Sequence, residues 1–271
     1  MALALHEVGA VDPGGRHVDE HLARPRDRVG RRSPAQHLRP TRRFQRDRLH
    51  VREGSAVEHW PLRRLVLRTP RLELRPDDDA GLDELAAVAY GGVHPPEEMP
   101  FGEEWTDADP RYLGRGILQY YWGERAALAP QRWSVHFLVR LDGRVIGTQR
   151  LGAGDFAITR EVHTGSWIGL RHQGQGIGTE MRAAVVLFAF DHLGAQVARS
   201  AANAENPRSL GVSRRLGYRR DGTTTVVRRG RRTEDVRLVV TPSTLVRPAW
   251  TLGVDGYTEE CRALLGGISP G

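Results

Sequence analysis

The stretch GLRHQGQGIGTEMRAAVVLFAF, Gly169 to Phe190, decides how this chain reads. Gly174, Gly176 and Gly178 stand at alternate positions directly before an apolar run of helical character. Glycine costs backbone entropy, so such a cluster marks main chain that bends where a Cβ forbids it or that touches a ligand. Ser166-Trp167-Ile168-Gly169-Leu170 reads as a strand that runs straight into it. Strand end, glycine turn and helix start together make a cup of outward N–H groups at the positive end of a helix dipole, which suits a phosphate anion. The spacing is not the dinucleotide G-x-G-x-x-G, and no Gly-Lys-Ser/Thr of a P-loop follows. A glycine turn with no ligand is the competing reading of these three residues.

Working outward, Leu65-Val66-Leu67 and Leu72-Glu73-Leu74 are short strand-like pieces, and Asp77-Asp78-Asp79 offers caps for a helix through Leu82, Leu85 and Val88. GGVHPPEEMPFGEEW mixes Pro, Gly and acids with Met99, Phe101 and Trp105, the pattern of a loop with apolar anchors lying across a pocket. A second helix is expected from about Asp109 to Leu128. Two runs flank Asp142-Gly143 as a hairpin, and Gly152 to Arg160 reads as a connection. Beyond the glycine helix, Ala195 to Ala201 is a strand. Asn206-Pro207 and Leu216-Gly217 bracket a compact helix, with Asn as N-cap and Gly as the left-handed stop. Two last strands, carrying Val226, Val227, Val236, Leu238 and Val240, are joined by RRGRR. Hairpins first and helix–strand alternation later predict a mixed α/β sheet.

The chain has 271 residues, of which 39% are hydrophobic, enough for a real core. No run approaches a membrane span, and MALALHEVGA lacks the basic start of a signal peptide. The single Cys261 excludes an intrachain disulfide framework and a Cys-rich zinc site, and fits a reducing cytoplasm; no metal is expected. The net charge of +7 is unevenly placed, because residues 1–56 hold 12 Arg against 7 acids. All 40 basic residues are arginine, which points to GC-rich coding rather than to chemistry. Residues 1–56 show no sustained period and read as a disordered Arg-rich extension. Arg52-Glu53-Gly54 before Val57 is compatible with a ribosome-binding sequence and a later true start. A nucleic-acid arm would interleave aromatics for stacking, and Phe44 is the only one there. The expected organisation is therefore this extension, a folded domain over 57–245 and a C-terminal tail over 246–271.

Gln173-x-x-Gly176-x-Gly178 resembles the pyrophosphate loop Q/R-x-x-G-x-G/A of the GNAT superfamily of acyl-CoA-dependent N-acyltransferases. Asn206-Pro207-Arg208-Ser209 with Leu216-Gly217-Tyr218 resembles the N-x-x-S…L-G-F/Y segment that follows it. The resemblance runs from about Leu65 to Val240, with Arg144-Val145-Ile146-Gly147 similar to the family's central strand. HWPL, EEMPF and GSWIGLRHQGQGIGTEMRAA resemble an actinobacterial branch for which succinyl-CoA use has been proposed. The resemblance implies a mixed, mainly antiparallel sheet with splayed central parallel strands flanked by helices. It also implies an acyl group passed from CoA directly to an amine in a ternary complex. Trp167, Ile168, Gly169 and Leu170 would carry the pantetheine arm. Gln173, Gly174, Gln175, Gly176, Ile177 and Gly178 would hold the phosphates, and Asn206 and Ser209 would face the pantetheine and sulfur.

Such chemistry needs a neutral amine, a polarised carbonyl and a thiolate that can leave, with no protein nucleophile. A backbone N–H around Ile168 to Leu170 is expected to hold the oxyanion. Ser209 is the expected acid; many members of the family this chain resembles use a tyrosine of the last helix instead, at the position held here by Ser213. Glu161 is the preferred base, with Asp155, Glu103, Glu104, His163 and His136 as rivals. The donor is acetyl-CoA or succinyl-CoA, with succinyl preferred; Arg160, Gln149 and the indoles of Trp133 and Trp167 are the candidate readers of its carboxylate. The acceptor is an amine of open identity, and a homo-oligomer is compatible with the sequence. A silent CoA-binding sensor and nucleic-acid binding through residues 1–56 are the rival functions.

Overall fold

The computed structural model describes residues 59–267, so the readings of residues 1–56 lie outside the described residues. After β1 (Val66–Arg68) and β2 (Leu72–Pro76), Asp78 accepts from Gly81 N at 2.7 Å and starts α1 (Asp79–Tyr90). Asp109 caps α2 (Pro110–Ala126) in the same way, through Arg111 N at 2.9 Å, with Pro110 preset at the first helical position. β3 (Arg132–Leu141) and β4 (Arg144–Gly154) are joined by Asp142-Gly143, both left-handed, as the hairpin signal requires. Then come α3 (Phe156–Thr159), β5 (Glu161–Ile168), α4 (Ile177–Phe188), β6 (Val197–Asn203) and α5 (Pro207–Arg215). β7 (Arg219–Arg228) and β8 (Arg231–Val240) form the last hairpin, followed by β9 (Gly253–Asp255) and α6 (Glu259–Leu264).

The nine strands among the described residues form one sheet in the order β7-β8-β6-β5-β4-β3-β2-β1-β9. Every neighbouring pair is antiparallel except β5 and β6. This is the mixed, mainly antiparallel sheet with one central parallel pair that the family resemblance implied. The larger core lies between the sheet and α4, around Phe137, Phe156, Val185 and Phe188; a smaller one lies under α1 and α2, around Leu82, Leu85 and Ile117. No helix among the described residues is long and apolar enough to cross a membrane.

Three features differ from the sequence reading. β5 begins at Glu161 itself, and β4 continues to Gly154, so the expected connection from Gly152 shrinks to the short α3. Of the segment read as a tail, β9 pairs with β1, and α6 buries Cys261, whose thiol donates to Pro61 O at 2.8 Å. Three residues are too few to show a period of two, which is why β9 was invisible in the sequence. The third difference is a bulge: Val139 faces Gly147 while Arg140 faces Val145, leaving Ile146 as the extra residue. Val145 consequently packs under α1 and α2, whereas Ile146, Leu151 and Ala153 pack toward α4.

Candidate active site

β5 and β6 pair from Glu161↔Val197 to Thr164↔Ser200 and then part. Beyond that point β5 stays with β4 as far as Ile168, and β6 stays with β8 as far as Asn203. A seam therefore opens between Gly165–Ile168 and 201–203. Gly169 N–H donates to Ile146 O at 2.9 Å, one step outside the pair Ile168↔Gly147. That makes Ile168 and Ser166 members of non-hydrogen-bonded pairs with β4, so their N–H and C=O groups point into the seam. Among the three N–H groups expected to hold an oxyanion, Gly169 is committed to Ile146 and Leu170 to Gly92 O at 2.9 Å. Ile168 is the one aimed at the opening.

At the end of the seam the glycines make a cradle. Gly174 and Gly176 have φ of 76° and 79°, conformations open to glycine at little cost, and the turn delivers Ile177 into the first position of α4. The main-chain N–H groups of Gly174, Gln175, Gly176, Ile177 and Gly178 donate to no carbonyl among the described residues. Five such consecutive donors at a helix N-terminus fit a pyrophosphate. Gln173 does not join them: its Nε2 donates to Val93 O at 2.7 Å and Ile168 O at 3.2 Å, so it positions the loop. The Gln175 side chain likewise turns back to Arg171 O. A residue the sequence reading missed supports the cradle from outside. Arg71 donates to Gln175 O at 3.0 Å and, through Nε, to Glu180 at 2.7 Å, which also accepts from Thr69 Oγ1 at 2.6 Å. Nothing in a chain separation of more than a hundred residues signals that contact.

α5 flanks the seam on the α4 side. Asn206 accepts from Ser209 N at 3.0 Å, so its side-chain oxygen is occupied as a helix cap. Ser213 is fully buried; it donates to Ser209 O at 3.1 Å and accepts from Arg182 Nη1 at 2.8 Å. Arg182 Nη2 lies 3.4 Å from Ser166 Oγ on β5.

The expected readers of a donor carboxylate are not gathered at the opening. Trp133 is buried against Phe156. Gln149 is fully buried and donates to Gly165 O at 3.0 Å and Arg150 O at 3.1 Å; the bulge turns it into the α4 layer. Arg160 lies over the Phe156 ring and donates to Gly266 O at 3.2 Å. Glu161 sits at the paired end of the seam, where it accepts from Arg199 Nε at 2.7 Å, and Arg199 also reaches Asp221 at 2.5 Å. His163 is one residue before the last paired position, 3.7 Å from Glu161, with its pKa lowered chiefly by burial. His136 is buried and held low by the same cause, beside Glu124 at 3.3 Å. Asp155 starts α3 in a left-handed conformation, and Glu104 accepts from Arg229 N.

The loop with apolar anchors does lie across the strand ends. Trp105 packs at a tilt 5.3 Å from Trp167, and Asn203 Nδ2 donates to Met99 O at 3.2 Å. Two arginines of the RRGRR turn tie it down. Arg228, buried and paired with Asp235 at 2.7 Å, donates to Phe101 O at 2.6 Å, and Arg229 pairs with Asp107 at 2.7 Å.

Comparison with known proteins agrees with this geometry. Mycobacterium smegmatis RimJ, solved in complex with a CoA disulfide, aligns with a TM-score of 0.59 at 21% identity, over 70% of this chain and 92% of that one. A GCN5-related N-acetyltransferase from Brucella melitensis aligns with a TM-score of 0.53 at 20% identity, over 66% and 79%. RimL, a ribosomal L7/L12 alpha-N-protein acetyltransferase solved with coenzyme A, aligns with a TM-score of 0.53 at 14% identity, over 64% and 95%. These likenesses establish a shared fold. The family profile described as "Acetyltransferase (GNAT) domain" matches residues 64–219, more than half of the sequence and all of the seam, and the chain belongs to the GNAT acetyltransferase family.

Proposed function

We propose that the protein transfers an acyl group from CoA directly to an amine, with both substrates bound at once, and that acetyl-CoA is the donor. The observation that carries this reading is the coincidence of an unpaired strand edge with five unpaired N–H groups at its end. An extended pantetheine adds to the edge as a strand would, and its pyrophosphate meets the cradle. Ile168 N–H is then placed to bind the oxyanion that forms when the amine attacks the thioester carbonyl. His163 lies on the face opposite α4, as alternation with Val162 and Ile168 requires, and burial favours its neutral, proton-accepting form. Acetyl is preferred to succinyl because the Arg160 guanidinium and the Gln149 amide donate to main-chain carbonyls and the Trp133 indole is buried against Phe156, so that of the four candidate readers only Trp167 lies on the seam strand.

The test is release of CoA from acetyl-CoA and from succinyl-CoA in the presence of a panel of amines, including peptides with free N-termini. Intact-protein mass is followed in parallel. Amine-dependent CoA release with no acylated enzyme supports direct transfer, and faster turnover of acetyl-CoA supports the donor. Binding without turnover across a broad panel points instead to a CoA sensor.

A further inference from the structure

Arg182 is an arginine with no carboxylate. Only 4% of it is exposed, and its polar contacts among the described residues are two serine hydroxyls, Ser213 at 2.8 Å and Ser166 at 3.4 Å. Its Nε is buried with no acceptor. The Tyr218 phenol beside it supplies no countercharge, because burial raises its pKa and keeps it neutral. Every other buried arginine among the described residues, which is Arg228 alone, has a bidentate carboxylate in Asp235. A buried cation left unpaired is costly, and a guanidinium cannot escape by losing its proton. The position is as informative as the deficit: Arg182 bridges Ser166 on β5 to Ser213 on α5. It spans the floor of the seam just past the last paired residues, Thr164 and Ser200.

We propose that Arg182 is a catalytic residue whose guanidinium receives the negative charge of the departing CoA thiolate. The inference rests on the reading that CoA occupies the seam. As the amine nitrogen bonds to the carbonyl carbon, the carbon–sulfur bond breaks and its electron pair goes to sulfur. The ammonium proton leaves through the base on the opposite face, and the sulfur stays anionic beside Arg182 until product release, when solvent protonates it. Ser213, with its own proton donated to Ser209 O, orients the guanidinium rather than acting as the acid. Ser209 is then not required as a proton donor, because charge stabilisation replaces proton transfer.

The test compares CoA with desulfo-CoA, which lacks the sulfur, by calorimetry of the full chain from pH 6.5 to 8.5. A free thiol ionises near pH about 8.5. If Arg182 lowers the bound thiol by one pH unit, the affinity for CoA relative to desulfo-CoA rises about fivefold across this range. The gain starts at the lower, bound pKa and levels off above the free one. In Arg182→Met the ratio becomes flat with pH and turnover falls about tenfold to a hundredfold, while Arg182→Lys keeps part of both. A flat ratio in the wild type overturns the inference, and needs no variant to fold. So does a pH-dependent ratio that survives in a folded Arg182→Met. If the wild type binds neither ligand, the CoA-binding reading itself fails and takes this one with it.

Discussion

The two ends of the seam between β5 and β6 are built from the same strands and treat charge in opposite ways. At the paired end, Glu161, Arg199 and Asp221 neutralise one another in a partly exposed chain of ion pairs. At the parted end, Arg182 is buried with hydroxyls and an orphan Nε, and Ser166 and Ile168 present unpaired main-chain N–H groups. The paired end is complete without a ligand. Its opposite end lacks an anion and a strand, and a CoA thioester with its pantetheine supplies both. The difference teaches where to look for chemistry: an acid already engaged by a neighbouring arginine is a weaker candidate than a buried cation with no carboxylate to engage.

The largest effect that would break this contrast is expected at the cradle. Gly176→Val should weaken CoA binding at least about a hundredfold in calorimetry, by placing a branched side chain where phosphate meets the N–H groups. It should also cost about 1–3 kcal/mol in chemical denaturation, because valine is strained at this left-handed position. Gly178 has no such φ, so Gly178→Ala should fold well and bind within about threefold of wild type. Normal binding by a folded Gly176→Val would reduce the cradle to a turn.

A second buried charge sharpens the comparison, because it has an escape that Arg182 lacks. Asp77 is pushed up to about 6, first by burial and despite Arg125 at 3.1 Å. A carboxyl raised in the fold destabilises wherever the unfolded chain would ionise it, so its contribution improves as pH falls from about 6 toward 4. Asp77→Asn should therefore stabilise the protein at pH 7.5 by about 1–2 kcal/mol and change little at pH 4, as read from denaturation midpoints. An equal shift at both values would show that the effect is packing and not charge.

The smallest effects belong to the paired end. Glu161→Gln and Arg199→Ala should leave turnover within about twofold and cost at most about 1 kcal/mol, as for partly exposed ion pairs. A hundredfold loss of turnover in Glu161→Gln alone would restore Glu161 as the base and make both ends part of the site.

Much of the fold was legible because its punctuation is local. Asp142-Gly143, Asn206-Pro207 and Gly217 each dictate a turn or cap within a few residues, and the glycine cluster shows as backbone freedom in the sequence itself. The seam's missing parts were not local. Arg182 looks like any polar residue on a helix until Ser166 and Ser213 are brought to it, and Arg71 reaches Glu180 only through the fold. The bulge at Ile146 explains the misplaced Gln149: one extra residue exchanges the faces of everything after it, and no periodicity rule locates it beforehand. Arg160 directly precedes β5 in sequence, yet its side chain turns to the C-terminal segment at Gly266.

The central claim is that CoA completes the parted end and leaves the paired end alone, and amide hydrogen exchange reads both in one experiment. With saturating CoA, protection should rise at Ser166, Ile168 and residues 174–178, whose N–H groups are unpaired in the free protein, and stay unchanged at Val162 and Thr164. Uniform protection across the seam, or protection confined to another face of the sheet, would contradict the account.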